Sequence, residues 1–438
     1  MIKNKRVGVI SLGCDKNRVD TEKMLALVKK IHTVTNDLEN AEIVIINTCA
    51  FLESSRKEAI EEILAVNALK ELGVLEKIIV TGCLPQLAPL ELYEELVEVD
   101  GFLGISDYQK INEVITRIYN GERVLEVGKP KNECLEDRTL TTDGHAYLKI
   151  ADGCKNCCTY CLIPKIRGGF RSIPVESLIK ETKLLGNVKE LILVAQDLTS
   201  YGQDLTPKTN LVSLIRELSA LDKVEKIRLL YCYPEGITDE LIAEIKTNPK
   251  VIKYLDIPFQ HANDLVLKKM NRKGTGESYL KLIEKLRKEI SGIAIRSTFI
   301  TGFPYEDENA FCDLLSFIEK AKLDNAGFFK YSREKGTMAY NMPITVSGAE
   351  KTKRHKKLYS LQKKISRANL RAKVGKELEV LCEGFDENRL VYYGRAYFNA
   401  PDIDGKVYFF ASREVEFNTY LKVKIIKAED YDLYGDLI

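Results

Sequence analysis

The stretch HAYLKIADGCKNCCTYC, residues 145–161, decides how this chain is read. It opens with a short apolar run of strand length, HAYLKIA, and the loop after it packs four cysteines into eight residues. Read as two back-to-back C-x2-C units, Cys154, Cys157, Cys158 and Cys161 would form a four-thiolate knuckle around one ion. Such sites separate their two pairs by about a dozen residues or more, so that the chain can wrap the ion. Read as C-x3-C-x2-C, Cys154, Cys158 and Cys161 act together and Cys157 is left over. Three thiolates on a 4Fe–4S cluster leave one iron open to bind a substrate. The loop follows the carboxyl end of a strand, where barrel enzymes build their active sites, and this favours the second parsing.

The stretches on either side extend the pattern. Over about 140–350, HAYLKIA, KELILVAQ, VEKIRLLY, VIKYLDIP, GIAIRSTFI and NAGFFKYS alternate with helical patterns. Six βα units fall short of eight, so an open or partial barrel is expected. Residues 1–125 show a similar alternation, with helices expected near 20–31, 52–72 and 90–97, and predict an open parallel α/β sheet. In that section Cys14 follows VGVISLG, Cys49 follows EIVIINT and Cys83 follows KIIVTG. Each lies just past a strand's carboxyl end, and in a parallel sheet those ends share one edge. The three thiols are therefore expected to converge as a second cluster site, against the plainer reading of three separate buried cysteines. The stretch GKPKNECLEDRTLTTDG reads as a linker. Residues 350–373 form a basic helix with ten Lys or Arg after Glu350, either a solvated face or a contact for RNA or another partner. From Gly375 several short strands predict a small antiparallel, OB-like barrel. The expected domains are 1–125, 140–370 and 373–438.

The 438 residues leave room for two to four domains at about 100–200 each. The net charge of +2 rules out a polycation, so any contact with nucleic acid must be local. The N-terminal residues MIKNKRVGVISLG lack the apolar core of a signal peptide. The apolar runs are far shorter than the roughly 18 residues a membrane span needs. The cytoplasm is the expected compartment, and there eleven cysteines are not a disulfide framework. Lone cysteines, among them Cys134, Cys232, Cys312 and Cys382, are expected to be buried as small apolar residues.

The C-x3-C-x2-C loop, with Tyr160 before its last cysteine, resembles that of the radical S-adenosylmethionine enzymes. Two such trios in this order, followed by a tail barrel of the TRAM kind, resemble the methylthiotransferase family over nearly the whole chain. SLGCDKNRVDTEKM is similar to the signature of the RimO branch, SLGC-P-KN-x-VD-[ST]-E, whereas the tRNA-modifying MiaB branch reads GCQMN there. IPFQHANDLVLKKMNRKG, TFITGFP, YSREKGTMA, PDIDGKV and DYDLYGDLI add to the likeness. The chain departs from it at Asp15, which stands where Pro is usual, at the extra Cys157, and at Tyr305, which falls where Gly often serves a positive φ.

The resemblance implies a radical S-adenosylmethionine methylthiotransferase with two 4Fe–4S clusters, one on Cys154, Cys158 and Cys161 and one on Cys14, Cys49 and Cys83. It implies S-adenosylmethionine as both radical source and methyl donor, with no catalytic residue assigned beyond the cluster ligands. Tyr160, Gln196, Thr301 and Gly302 are the expected contacts to it, against a reading of the two loops as turn chemistry alone. The implied substrate is an aspartate β-carbon in the small-subunit ribosomal protein twelve, free or within the ribosome, with an electron donor such as flavodoxin or ferredoxin. The alternative is methylthiolation of a modified adenosine in tRNA, and a third reading is a non-catalytic RNA-binding module holding zinc. From Gly375 onward eight Lys or Arg face thirteen Asp or Glu, so the tail should repel phosphate. It is expected instead to attract a basic protein through acids such as Asp402, Asp404 and Glu416.

Overall fold

The computed structural model describes residues 4–132, 135–186 and 188–438; Cys134 lies outside them. In the first sheet six strands run parallel in the order Thr33–Thr35, Arg6–Ser11, Ile43–Thr48, Lys77–Gly82, Gly101–Leu103, Val124–Glu126. Ile43–Thr48 is buried along its whole length, as its unbroken apolar run requires when helices cover both faces. Ser11 pairs with Asn47, and Thr48 pairs with Gly82, so three strand ends are level at one edge. The first helix, Asp15–Lys29, starts directly after Cys14, five residues earlier than expected. Its polar residues Lys16, Asn17, Asp20, Thr21, Glu22 and Lys23 are all buried, so the sequence shows no apolar stripe there. The helix expected near 52–72 spans Glu53–Glu71, and the one expected near 90–97 spans Pro89–Glu95, preceded by a further short helix, Cys83–Leu87.

The second sheet contains the six expected strands in sequential order: His145–Lys149, Glu190–Val194, Lys226–Leu229, Val251–Asp256, Ala294–Thr301 and Asn325–Lys330. Side chains alternate along each strand. Leu148, Leu191, Leu193, Leu229, Leu255 and Ile295 join the core with the flanking helices. The opposite face carries Tyr147, Ile192, Val194, Leu230, Ile252 and Tyr254, which pack with Val19 of the first helix and with Phe398, Ala400 and Phe409 of the tail. This inner face also carries charge: Lys149, Glu190, Arg228, Asp256 and Arg296 lie on the same alternation.

The tail closes into a five-stranded barrel of Glu377–Asp386, Val391–Ala396, Val407–Phe410, Tyr420–Ala428 and Leu433–Leu437. Its pairings are antiparallel except that Val407–Phe410 and Leu433–Leu437 run parallel, a departure from the all-antiparallel expectation. The basic helix spans Gly348–Arg371, and its buried residues Arg354, Leu358, Gln362, Ser366 and Leu370 recur every four positions. Most of its lysines therefore lie on the open face. Cys232 and Cys382 are buried as expected, whereas Cys312 is exposed, on the outer face of the Glu308–Ala321 helix.

Of the tail acids expected to attract a basic partner, Asp404 is withdrawn from the surface while Asp402 and Glu416 stay exposed. The Asp404 side chain is buried, accepting a hydrogen bond from the Tyr254 hydroxyl at 2.7 Å and pairing with Arg296 at 3.3 Å. Asp402 pairs with Arg18 at 3.4 Å, and of the three only Glu416 is exposed with no such contact. At the other end of the barrel Glu190 binds Arg228 at 2.5 Å and the tail's Arg395 at 2.9 Å. Burial alone would raise the Glu190 carboxyl; the two arginines outweigh it and hold the group down at about 2.

A depressed carboxylate stabilises the fold above its unfolded pKa and loses that contribution as pH falls towards its folded one. Glu190→Gln, which leaves two buried guanidiniums short of a counter-charge, should cost about 3–5 kcal/mol at pH 7. The gap between wild type and variant in thermal unfolding should close as pH drops from about 4.5 towards about 2. A pH-independent gap would show that Glu190 does not hold the tail by charge.

Candidate functional site

Cys14, Cys49 and Cys83 emerge at one edge of the first sheet because their strands end level. Gly13 lies at φ +96°, and a Cβ there would come within 2.8 Å of the Cys49 Cβ and 3.3 Å of its sulfur. Gly82 lies at φ +97°, where a Cβ would meet the Asn47 Oδ1 at 2.3 Å. Only glycine allows these left-handed turns at such close approach. Asn17 gathers the three loops: its Nδ2 donates to Leu12 O at 3.2 Å and Thr48 O at 2.9 Å, and its Oδ1 lies 3.6 Å from the Cys83 sulfur.

The barrel cysteines sit on a loop pinned from several sides. Asn156 Nδ2 donates to Asp197 at 2.7 Å, Thr159 Oγ1 to Lys269 O at 2.8 Å, and the Cys154 N–H to Gly168 O at 3.2 Å. The sulfurs of Cys154 and Cys161 accept backbone N–H groups of Asn156 and Ile163, each at 3.4 Å. Such N–H···S contacts stabilise thiolates and tune an iron–sulfur centre. Cys157 stands apart: it is exposed, its backbone is left-handed at φ +46°, and its carbonyl accepts from Asn271 at 3.0 Å.

Between the two trios lies a knot of buried charge. Arg167, six residues after Cys161 and only 2% exposed, grips both oxygens of Asp152 at 3.1 and 2.9 Å. Its other amino group reaches the Asn17 Oδ1 at 2.6 Å, Asp20 at 3.2 Å and the Cys83 sulfur at 3.8 Å. Lys149 pairs with Asp20 and, at 3.5 Å, with Asp152. Burial opposes the charge on Asp152, but Arg167 and Lys149 outweigh it and hold the carboxyl well below its usual range. At the start of the first helix Tyr231 adopts φ +62°, donates its hydroxyl to Asp15 at 3.2 Å, and takes the Lys16 ammonium 3.5 Å from its ring centre.

The residues expected to contact S-adenosylmethionine fall into two pairs. Tyr160, within the cysteine loop, packs edge-on to Phe303, with centroids 6.3 Å apart. Gln196 Nε2 donates to Asp152 at 3.0 Å, and its buried Oε1 has no partner. The Thr301 hydroxyl and the Gly302 N–H both donate to Glu306 Oε1, at 3.0 and 2.9 Å, so these two hold the turn. In the same turn Tyr305 takes φ +71°, the conformation glycine would serve, and the Lys269 ammonium lies 4.4 Å from its ring centre.

Three thiols at each site are a donor set that could hold an iron–sulfur cluster. Among the described residues no three His, Cys, Asp or Glu side chains gather closely enough to hold one ion. Within each trio the thiols nonetheless lie close enough to feel one another's charge. Burial pushes Cys83 up to about 12, against the pull of Arg167, and Cys161 also up to about 12. Thiols so placed are not free nucleophiles and ionise when a metal binds them. Sequence reasoning missed Arg167, Lys149, Asp20, Asn17 and Tyr231; the lysine inside the apolar run HAYLKIA was the available signal.

Cys157→Ala should keep the full iron content of reconstituted protein, because Cys157 is exposed and its left-handed backbone sets it apart from the three partly buried cysteines. Loss of half the iron in that variant, with Cys158→Ala unaffected, would reverse the ligand assignment.

The chain matches three family profiles: an uncharacterized protein family, UPF0004, over residues 6–104; the radical SAM superfamily over 148–318; and the TRAM domain over 374–438. Among curated proteins it is 45% identical to the ribosomal protein uS12 methylthiotransferase RimO of Thermoanaerobacter sp. (strain X514), over 99% of this chain and 100% of that one. It is 47% identical to the protein of the same name from Clostridium kluyveri, over 98% and 97% of the two chains. The corresponding protein of Geobacter sulfurreducens is 45% identical over 99% of each. Among solved structures, the radical S-adenosylmethionine methyltransferase TsrM of Kitasatospora setae superposes with a TM-score of 0.55 at 14% identity, over 75% of each chain. The cobalamin-dependent radical enzyme OxsB gives 0.53 at 13%, over 82% of this chain and 56% of that one. These two likenesses establish shared fold alone. The full-length identity to the curated relatives goes further: this chain belongs to the RimO methylthiotransferase family.

Proposed function

We propose that this chain is a radical S-adenosylmethionine enzyme that methylthiolates the β-carbon of an aspartate in ribosomal protein uS12. Identity at the 45% level along the whole chain to relatives of that name carries the reading. The two cysteine trios on either side of one buried charge knot support it. Cys154, Cys158 and Cys161 would hold the cluster that binds S-adenosylmethionine, and Cys14, Cys49 and Cys83 a second one. When bound, these groups supply a carbon-centred radical and the sulfur to be inserted.

The chain's own part is to bind, align and dry the site. The trios are held on level strand ends and a pinned loop, with buried apolar residues behind each. Tyr160 on the barrel loop and Gln196, which is hydrogen-bonded to Asp152, would meet S-adenosylmethionine. Thr301 and Gly302 act at one remove, by shaping the turn that carries Phe303 against Tyr160. Lys149, Arg167, Asp20 and Asp152 keep their charges balanced, which lets the region exclude water without leaving an ion unpaired.

A reductant is required, and a small flavodoxin or ferredoxin suits it. Among the described residues no helix is long and apolar enough to cross a membrane; the reading places the reaction in the cytoplasm. Asp404 is committed to Arg296 and drops out of any acidic docking face, Asp402 and Glu416 stay exposed on the tail, and the substrate's aspartate is expected at the rim shared by the two trios. The tRNA reaction is the less favoured reading, since the curated relatives reported above all act by name on uS12.

Reconstituted wild type should hold about eight irons per chain. Replacing Cys154, Cys158 and Cys161 together with Ala should halve the iron and abolish cleavage of S-adenosylmethionine. Replacing Cys14, Cys49 and Cys83 should halve the iron, keep that cleavage and abolish sulfur insertion. Anaerobic turnover on uS12 and on tRNA, followed by mass spectrometry, should show the added methylthio group on one aspartate peptide. Modified adenosine with unmodified uS12 would overturn the assignment.

A further inference from the structure

Arg167 touches residues of both trios' surroundings without belonging to either. It follows the barrel cysteine loop in sequence and binds Asp152, two residues before Cys154, through both oxygens. It crosses to the first section through Asn17, Asp20 and the Cys83 sulfur. Asn17 in turn ties the loops of Cys14 and Cys49 through Leu12 O and Thr48 O. One planar guanidinium thus spans from the base of one trio to the hub of the other, with its donors directed in a fixed fork that a lysine cannot reproduce. It is almost wholly buried, so its charge acts on Cys83 through a medium that screens poorly.

We propose that Arg167 is a positioning residue that fixes the two cysteine sites relative to each other and holds the N-terminal site at a more positive reduction potential. The inference rests on the reading of both trios as cluster sites. A buried cation beside a ligand sulfur favours the reduced, more negative state of the centre, which is how charge near a cluster sets its potential. Fixing the separation keeps hydrogen abstraction and sulfur insertion on the same substrate carbon.

The test compares reconstituted wild type, Arg167→Lys and Arg167→Met as full chains. Three readouts apply: iron per chain, the potential of each cluster by spectroscopically monitored titration, and 5′-deoxyadenosine formed per methylthiolated uS12. Arg167→Met should keep both clusters, shift the N-terminal potential in the negative direction, and leave the barrel potential nearer its original value. Its methylthiolation should fall about a hundredfold, as displacement of reacting groups by about 1 Å can cause, while cleavage of S-adenosylmethionine continues. Arg167→Lys should retain the potential but not the coupling, because it keeps the charge and loses the fork. Should the methionine variant fail to fold, the lysine variant decides by its coupling ratio. A folded variant with wild-type potential and wild-type coupling overturns the proposal. A wild type that makes no methylthio product would instead sink the functional reading, and the potential shift would still judge Arg167.

Discussion

Two cations, Lys149 and Arg167, and two carboxylates, Asp20 and Asp152, lie together out of water where two sections of the chain meet. Three of the four come from the barrel section and one, Asp20, from the first helix. An ion in such a place is tolerable only while its partners are present; removing one partner from a buried pair costs about 3–5 kcal/mol. Swinging the first section away would strand Arg167 and Lys149 with one carboxylate between them. The knot therefore sets where the first sheet sits on the barrel, and with it the distance between the two cysteine trios.

The tail obeys the same constraint. The inner face of a six-stranded partial barrel is open, and this one presents Glu190, Arg228, Asp256 and Arg296 among its apolar side chains. Arg395 and Asp404 of the tail supply the missing counter-charges at 2.9 and 3.3 Å. Apolar contact gives the docking its bulk, and charge pairing selects one orientation. This explains why Asp404, which looks available for a partner in sequence, is unavailable in the fold.

Much of this was legible beforehand. The alternation of strands and helices, the six barrel units and the closed tail follow from periodicity and turn residues. The cysteine positions follow from where strands end. A sharper signal went unread: the dipeptide Gly-Cys occurs at Cys14, Cys83 and Cys154, and each of those glycines takes a positive φ, +96°, +97° and +75°. The first helix was misjudged at its start because its buried face is polar, and amphipathic reasoning assumes that buried faces are apolar. Asp404 was misjudged because a charge count cannot distinguish a surface acid from one folded against Arg296. Arg167 was invisible for a related reason: its partners are separated from it by up to 150 residues, and only the fold brings them within reach.

The central claim is that the two trios form separate cluster sites held apart by one charge knot. Crystals of the anaerobically reconstituted protein, measured at the iron absorption edge, test it most directly. The account predicts two anomalous peaks, one at Cys14, Cys49 and Cys83 and one at Cys154, Cys158 and Cys161, with Arg167 between them and Cys157 bound to neither. A single iron site, or one cluster drawing cysteines from both trios, would contradict it.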